Sequence, residues 1–556
     1  MAKHVFGIDL GTTYSCIAYV DETGRATVVQ NKEGQNTTPS VVNFASPTNV
    51  VVGEVAKETA VSDPQNTVQL VKTLMGKTDF AINYNGQDIS PEEVSSYILK
   101  KVTGDAADML NEEVKDVVIT CPAYFGTAER KATQAAGEIA GLNVLEIINE
   151  PTAAAMYYGC TKETEPKTVM VYDLGGGTFD VTIMKISAEE ITVICSDGDH
   201  DLGGKNWDEA VIRYLGEEFQ SQNESFDGEF DEYAQQDMRL KAEKAKISLT
   251  QREEVPVMLD VAGIRSKIML SREKFDELTA PLLQESLDKT DAAIAVAKDK
   301  GYTVEEILLV GGSTKMPQVK KALMDKYGIE PKVLEPDEAV AKGAAIHAVN
   351  VYVNNQQNIL AQEESGAASS DDEKVTVTDD NGAEKTLNKD DYKETLDVNI
   401  SSMTIGGTKP KIVNATTKSY ALQVINKDNK SVCHNMIIKN TPMENGSISV
   451  TQVFGTNEAD MDTAELIVYE SDFMDEEYDI DEDFVLGQCV LELPGNLPAG
   501  SPIQVTFTLT TEGMLEVTGV DKTTNKEVHA TMQAKGIMAQ EKVEELKEKS
   551  KAIVVQ

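Results

Sequence analysis

The sequence predicts an α/β domain of two related lobes over about its first 350 residues, followed by a mainly β domain. Three observations carry this. Short apolar runs alternate with amphipathic stretches through the first part of the chain. A strand–turn–strand unit built around Asp-Leu-Gly occurs twice, about 164 residues apart. Beyond about residue 411 a period-two alternation takes over.

In chain order, Phe6-Gly7-Ile8-Asp9-Leu10, Val117-Val118-Ile119-Thr120-Cys121, residues 168–174 and Ile307-Leu308-Leu309-Val310 read as strands covered by helices. Segments 127–141 and 231–250 carry the helical period. Asp9-Leu10-Gly11-Thr12-Thr13 leads into Cys16-Ile17-Ala18-Tyr19-Val20, and Asp173-Leu174-Gly175-Gly176-Gly177-Thr178 leads into Asp180-Val181-Thr182-Ile183-Met184. Paired copies imply two lobes whose turns face each other across a cleft. Residues 361–373 are small, polar and acidic and read as a linker. Residues 374–410 hold short strand-like pieces with Asp-Asn-Gly and Gly-Gly turn signals. Ile503, Val505, Phe507 and Leu509 alternate outward, Thr511-Glu512-Gly513 turns, and Leu515 and Val517 return, which predicts a hairpin. Residues 472–483, eight of twelve acidic, read as a solvated, mobile loop; a Ca²⁺ site is the weaker alternative, since the EF-hand glycine and spacing are missing. Residues 539–555 read as one charged helix with Val543, Leu546 and Ile553 on roughly one side. The expected divisions are 1–352, an acidic connector at 353–410, a β domain at 411–533 and a helical stub at 534–556.

The chain has 556 residues and a net charge of −42, from 93 acidic and 51 basic side chains. No basic surplus is available for phosphates, so nucleic acid and anionic membrane surfaces are disfavoured. No apolar run reaches the ~18–20 residues of a transmembrane helix. Met1-Ala2-Lys3-His4-Val5-Phe6-Gly7 does not read as a signal peptide. Six cysteines without a Cys-x-x-Cys pair fit reduced thiols in a cytoplasm rather than a disulfide framework.

A phosphate tail needs close backbone N–H donors, hydroxyl donors and a metal to offset its charge. The glycines of both turns permit close approach and an anion nest. Thr12, Thr13 and Thr178 add hydroxyls, and Asp9 and Asp173 can hold Mg²⁺ directly or through its waters. Asp-Gly-Thr alone is also ordinary turn chemistry; two copies in matching strand contexts outweigh that reading. No Gly-x-x-x-x-Gly-Lys-Ser/Thr motif occurs, and no Gly-x-Gly-x-x-Gly opens a helix after the first strand.

These residues carry a resemblance. Gly7-Ile8-Asp9-Leu10-Gly11-Thr12-Thr13-Tyr14-Ser15 and Asp173-Leu174-Gly175-Gly176-Gly177-Thr178-Phe179-Asp180 resemble the two phosphate loops of the 70-kDa heat-shock proteins, the DnaK-type chaperones. Ile148-Asn149-Glu150-Pro151-Thr152-Ala153-Ala154-Ala155 is similar to their connecting segment, Val310-Gly311-Gly312-Ser313-Thr314 to their adenosine loop, and residues 335–345 to the helix that follows. The resemblance implies an actin-like, two-lobed ATPase with ribonuclease-H-like repeats, then a β-sandwich peptide-binding domain and a short C-terminal helix. It implies ATP/ADP and Mg²⁺, with Asp9 and Asp173 organising the metal. Lys72 would stabilise the transferring phosphoryl group, Glu150 and Asp173 would position the attacking water, and Thr12, Thr13 and Thr178 would contact phosphate. Gly11, Tyr14, Gly175, Gly176, Gly177, Gly203, Gly204, Glu243, Lys246, Thr250, Gly311, Gly312, Ser313, Lys315 and Asp337 complete the implied nucleotide set. Pro122 and Arg130 resemble the family's proline switch and arginine relay. In the β domain Met436, Ile438, Ala464 and Leu466 are the candidates for a peptide pocket, with sandwich core as the competing reading for each. The implied partners are extended apolar peptides, a J-domain co-chaperone and a nucleotide-exchange factor.

The sequence departs from that pattern in four places. A linker with consecutive leucines is not evident, which puts interdomain coupling in question; Tyr392-Lys393-Glu394-Thr395-Leu396 and Lys411-Ile412-Val413-Asn414 stand near its place. About 18 residues follow the sandwich where the family carries a helical lid. Lys315 replaces an arginine and cannot reproduce a planar stack on adenine. The tail Ala552-Ile553-Val554-Val555-Gln556 lacks the acidic co-chaperone motif. A non-enzymatic ATP-binding adaptor and a metabolite kinase of the same fold are the rival readings.

Overall fold

The computed structural model describes residues 3–77, 82–160, 165–223, 226, 228–365, 373–378, 384–392, 396, 410–444, 446–510, 513–532 and 537–556. Strands β1 (Phe6–Asp9), β2 (Tyr14–Val20), β3 (Ala26–Val28), β4 (Val42–Ser46), β5 (Asn49–Val52), β6 (Asp116–Cys121) and β7 (Asn143–Asn149) build the first lobe. Its main sheet runs β7-β6-β1-β2-β3, with β1 parallel to β6 and antiparallel to β2. The second lobe uses β8 (Lys167–Leu174), β9 (Phe179–Ile186), β10 (Glu190–Asp199), β11 (Glu306–Val310) and β12 (Lys332–Val333) in the order β12-β11-β8-β9-β10. Strand order and sense repeat those of the first lobe. The duplicated Asp-Leu-Gly unit is therefore the centre of a duplicated sheet, as the sequence predicts.

Helices cover both sheets. Helix α1 (Pro91–Leu110) starts where the Ser90 side chain accepts from the Glu93 N–H, with Pro91 in the first turn, and ends at Asn111 in the left-handed region. Helices α2 (Thr127–Ile139), α3 (Glu150–Cys160), α4 (Gly204–Gln222), α5 (Glu232–Leu249), α6 (Arg272–Asp299) and α7 (Ala339–Glu364) follow. Small residues let α3 and α7 cross closely between the lobes: Ala153, Ala154, Ala155, Ala341, Ala344 and Ala345 are fully buried. A Cβ on Gly343 would fall 1.7 Å from the Ala153 carbonyl oxygen.

The expected connector at 353–410 is a correction. Helix α7 runs unbroken to Glu364, and a hairpin of β13 (Lys374–Thr378) and β14 (Glu384–Asn388) packs on it. Val375, Val377, Leu387 and Tyr392 enter the same apolar core as Tyr352. Residues 366–372 of the predicted linker lie outside the described residues. The boundary at 411 also moves, because β15 (Lys411–Val413) pairs in parallel with Glu190–Thr192 of β10 and extends the sheet of the second lobe.

The sandwich has one sheet of β16 (Ser419–Ile425), β17 (Ser431–Ile437), β19 (Thr463–Ser471), β20 (Glu477–Tyr478) and β21 (Val485–Glu492), ordered β20-β17-β16-β19-β21, and a second of β18 (Ser447–Gly455), β22 (Pro502–Thr510), β23 (Leu515–Asp521) and β24 (Glu527–Met532), ordered β18-β22-β23-β24. The predicted hairpin is β22–β23, with Leu509 opposite Leu515; Val505, Phe507, Leu515 and Val517 are fully buried in the core. The acidic stretch is not a wholly solvated loop. Asp472 pairs with Lys418 at 2.6 Å and Lys439 at 2.9 Å, the Phe473, Tyr478 and Phe484 rings cluster, and β20 adds to β17. Against burial, which would raise it, the two lysines hold the Asp472 carboxyl down at about 2.

The predicted terminal helix is two elements, α8 (Gln540–Lys551) and β25 (Val554–Val555), with Ile553 beyond the helix. Both lie on the first lobe. Among the described residues no helix is long and apolar enough to cross a membrane. All six cysteines are free thiols.

Candidate nucleotide cleft

Both Asp-Leu-Gly turns, Lys72 and the start of α3 line one cleft of about 380 Å³ between the lobes. The turns interlock. A Cβ on Gly176 would lie 2.1 Å from Thr13 Oγ1, and one on Gly177 2.4 Å from Thr12 Cγ2. The threonines of one turn thus rest on the glycine backbone of the other. The first turn of α4 is tied to the second loop: the Gly204 N–H donates to the Gly175 carbonyl at 3.0 Å and the Lys205 N–H to that of Gly176 at 2.7 Å. Gly311 has φ +84°, and its Cβ position would fall 2.4 Å from the Leu174 carbonyl oxygen, so glycine is required twice over. The Ser313 hydroxyl donates to the Gly175 carbonyl at 2.9 Å.

Asp9 ends β1 and Asp173 sits one residue from the end of β8, while Glu150 opens α3. Lys72 is buried and pairs with Glu150 at 2.5 Å; Thr120 Oγ1 donates to Asp9 at 3.3 Å. Burial, with the Glu150 charge adding, pushes the Asp9 carboxyl up to about 7. Burial and the charges of Glu150, Asp180 and Asp9 raise Asp173 well above the usual range. Burial would lower the Lys72 ammonium, but Glu150 and Asp9 outweigh it and hold it above the ordinary lysine value. Three carboxylates around one ammonium leave surplus negative charge in a poorly solvated place. That donor set fits Mg²⁺, a hard cation that keeps several waters and takes one or two carboxylates plus phosphate oxygens. Among the described residues no three His, Cys, Asp or Glu side chains form a metal cage of their own. Asp9 and Asp173 are the groups that would hold the ion.

The far end of the cleft is formed by α5 and the loops around Gly312 and Asp337. Lys246 donates to the Gly204 carbonyl at 3.0 Å and pairs with Asp208 at 2.7 Å. Burial, opposed by Lys246, raises the Asp208 carboxyl to about 6. Glu243 is held from the first lobe by Lys57 at 2.5 Å and the Tyr14 hydroxyl at 3.2 Å. Lys315 pairs with Asp337.

Every residue expected in the cleft lines it except Gly177 and Gly203, which sit behind the surface against each other. Sequence reasoning missed Thr37, Lys205, Asp208, Ile247, Pro336 and Val340 as cleft residues. Ile247 is 54% exposed, an open isoleucine beside Lys246, and helical position alone does not mark it. Pro122 follows β6, and Arg130 donates to the Phe125 carbonyl at 3.0 Å and to the Asn149 side chain, next to Glu150. Of the peptide-pocket candidates, Met436, Ala464 and Leu466 share the packed sandwich core, and half-buried Ile438 lies one residue past the end of β17.

The family described as Hsp70 protein matches residues 5–363. The chain is similar to the Chaperone protein DnaK of Thermosipho africanus (strain TCF52B), 43% identical over 353 residues, which are 62% of this chain and 59% of that protein. It is also similar to the Chaperone protein DnaK of Thermotoga maritima (strain ATCC 43589 / DSM 3109 / JCM 10099 / NBRC 100826 / MSB8), 43% identical over 354 residues, again 62% and 59% of the two chains. The matched region therefore spans less than two thirds of those relatives' length. On a duplicated two-lobed α/β domain with interlocked Asp-Leu-Gly turns, matched over residues 5–363, the chain belongs to the Hsp70 family.

Proposed function

We propose that the chain hydrolyses ATP and uses the cycle to switch the affinity of its β sandwich for extended apolar peptide segments, as a chaperone. The observation that carries the reading is the buried Lys72–Glu150 pair beside Asp9 and Asp173, at the meeting of the two turns. A water oxygen attacks the γ-phosphorus in line, the bond from that phosphorus to the bridging β-phosphate oxygen breaks and leaves ADP, and of the water's two protons one stays on inorganic phosphate and the other is released to solvent. Glu150 and Asp173 orient the water. The Lys72 ammonium offsets charge that grows on the γ-phosphoryl oxygens. Thr12, Thr13 and Thr178 donate hydroxyl hydrogen bonds to the phosphates. Mg²⁺, when held by Asp9 and Asp173, supplies charge neutralisation along the phosphate tail.

Coupling to the sandwich runs through β15 on β10, since β10 pairs with β9, which starts next to Thr178. A lobe rearrangement on hydrolysis moves this edge and the chain attached to it; such coupling is typically worth ~1–3 kcal/mol. A net charge of −42 favours apolar or basic peptides over acidic ones. A J-domain co-chaperone, a nucleotide-exchange factor and a cytoplasmic setting belong to this proposal, and the free thiols support a reducing compartment. The test is Lys72→Ala: ATP binding persists while single-turnover hydrolysis is lost. Unchanged turnover removes the assigned role, and peptide release that ATP does not accelerate removes the coupling.

A further inference from the structure

Lys72 reaches the cleft from a short segment that is fixed on both sides. Before it, Thr67–Val68 pairs antiparallel with Val42–Asn43 of β4. After it, Val71 and Met75 are buried in the apolar core of the first lobe. Gly76, at φ +74°, then brings the chain against the start of α2, where a Cβ would lie 3.0 Å from the Glu129 backbone nitrogen. Between these fixed points the chain turns at one residue. Leu70 has φ 59° and ψ 24°, the left-handed region, and opens the short 3₁₀ turn Val71–Leu74 that carries Lys72. A leucine there is under steric strain, because its Cβ crowds the following carbonyl oxygen. Strain of this kind persists only where the surroundings over-determine the conformation.

The neighbours of the kink show what it achieves. Just before it, Gln69 Nε2 donates to Gln236 Oε1 of α5 at 3.2 Å, so the segment touches the second lobe. Just after it, the Val71 side chain enters the core and the Lys72 side chain enters the cleft, where its ammonium meets Glu150 and lies 5.9 Å from the centroid of the Phe125 ring. The turn is locked from the Leu70 carbonyl, which accepts from the Thr73 N–H at 3.1 Å and from the Thr73 hydroxyl at 2.9 Å. Continued as a strand at ~3.3 Å per residue, the chain would carry the Lys72 backbone past its observed place.

We propose that Leu70 is a positioning residue for phosphoryl transfer: its left-handed backbone, and not the contacts of its side chain, sets where the Lys72 ammonium stands. The inference rests on the ATPase reading of the cleft. The test compares Leu70→Val with Leu70→Asn in the whole chain. A β-branched residue is poorly accommodated at positive φ, whereas asparagine adopts the left-handed region readily. Single-turnover hydrolysis of bound ATP should fall at least about tenfold in Leu70→Val, since displacing a positioned group by about 1 Å costs about a hundredfold, while the Kd for ATP stays within about twofold. Leu70→Asn loses the apolar side chain but keeps the kink, and should hydrolyse within about twofold of wild type. A leucine that served only packing would give the opposite order, because valine stays apolar and asparagine does not. That order, or a Leu70→Val rate within about twofold of wild type, overturns the proposal. Thermal unfolding controls for global damage. Where Leu70→Val does not fold, Thr73→Val removes the hydroxyl bond to the Leu70 carbonyl and should lower the same rate at least about threefold at unchanged Kd; an unchanged rate there also overturns the proposal. Lys72→Ala separates the two readings. Hydrolysis intact in that variant removes the ATPase role of Lys72, whereas hydrolysis lost there but unchanged in Leu70→Val removes only the role of Leu70.

Discussion

The three consecutive glycines of the second Asp-Leu-Gly turn should tolerate substitution very unequally. A Cβ on Gly175 would meet Thr178 O at 3.4 Å, an ordinary contact. On Gly176 it would sit 2.1 Å from Thr13 Oγ1, 2.4 Å from Thr13 Cγ2 and 2.7 Å from its Cβ, so the whole threonine is in the way. Restoring contact at about 3.5 Å requires roughly 1.4 Å of movement in the first loop. A 1 Å misplacement in a positioned site costs about a hundredfold in rate. Gly176→Ala should therefore lower single-turnover ATP hydrolysis about a hundredfold. Gly177→Ala, at 2.4 Å from Thr12 Cγ2, should fall close behind, and Gly175→Ala should disturb the fold of the turns least. Single-turnover hydrolysis, with thermal unfolding as the control for global damage, checks the ranking. Equal effects at all three positions, or a Gly176→Ala rate within about twofold of wild type, would refute the interlock as the source of precision.

Ile247 has about half its surface free to be covered by a bound base, so Ile247→Ala should weaken ATP binding by about 1 kcal/mol, or about fivefold in Kd, with little change in bound-state hydrolysis. Calorimetric titration reads this directly, and unchanged affinity would place the base elsewhere. Asp472, held down by Lys418 and Lys439, contributes stability above its ordinary value of 3.8 and loses it as pH falls toward about 2. Its half-exposed carboxylate is screened by solvent, so Asp472→Asn should cost about 1 kcal/mol at pH 7. Urea unfolding of the sandwich at pH 7 and pH 2 should show that loss at the higher pH alone; equal losses at both would separate the effect from the charge.

What was legible in the sequence depended on how far away each residue's partner lies. The two Asp-Leu-Gly turns announce themselves because strand, turn and strand are contiguous, and the sheet duplication follows from them. The end of the α/β domain was misplaced for the opposite reason. Acidic composition near 361–373 looks like a linker, whereas α7 persists to Glu364 and is covered by Val375, Val377 and Leu387. Charge counting likewise read 472–483 as solvent-facing, but Asp472 finds Lys418, just before β16, and Lys439, in the turn after β17. Strand β25 has two residues and no signal of its own; the open edge of β5 makes it a strand. In the cleft, the end lined by the two Asp-Leu-Gly turns was legible through glycine and threonine spacing. Asp208 was not, because its role depends on Lys246, 38 residues later in the chain.

The charge of the cleft leads to a prediction about metal. A nucleotide triphosphate is a polyanion, and this cleft sets Asp9, Glu150 and Asp173 around Lys72 in a chain of net charge −42. Two unit charges ~5 Å apart interact by about 3 kcal/mol at an effective dielectric of ~20. Each unit of surplus negative charge near the phosphates therefore opposes binding by about two orders of magnitude. Chelating divalent cations should weaken ATP binding by at least about a hundredfold, while a nucleoside lacking phosphates should be nearly indifferent to the chelator. Because Asp173 is held well above the usual carboxylate range, the comparison is made at alkaline pH, where its carboxyl is ionised and Asp173→Asn removes one of the opposing charges. In the absence of divalent cation that variant should bind ATP more tightly than wild type, and in its presence more weakly, so the two titration curves exchange order. A fluorescent-nucleotide titration with and without EDTA measures all four states. Equal affinity of wild type with and without the cation would refute the argument, since the carboxylates would then not face the phosphates. An unchanged order of the two proteins would show that Asp173 contributes through packing and not through charge.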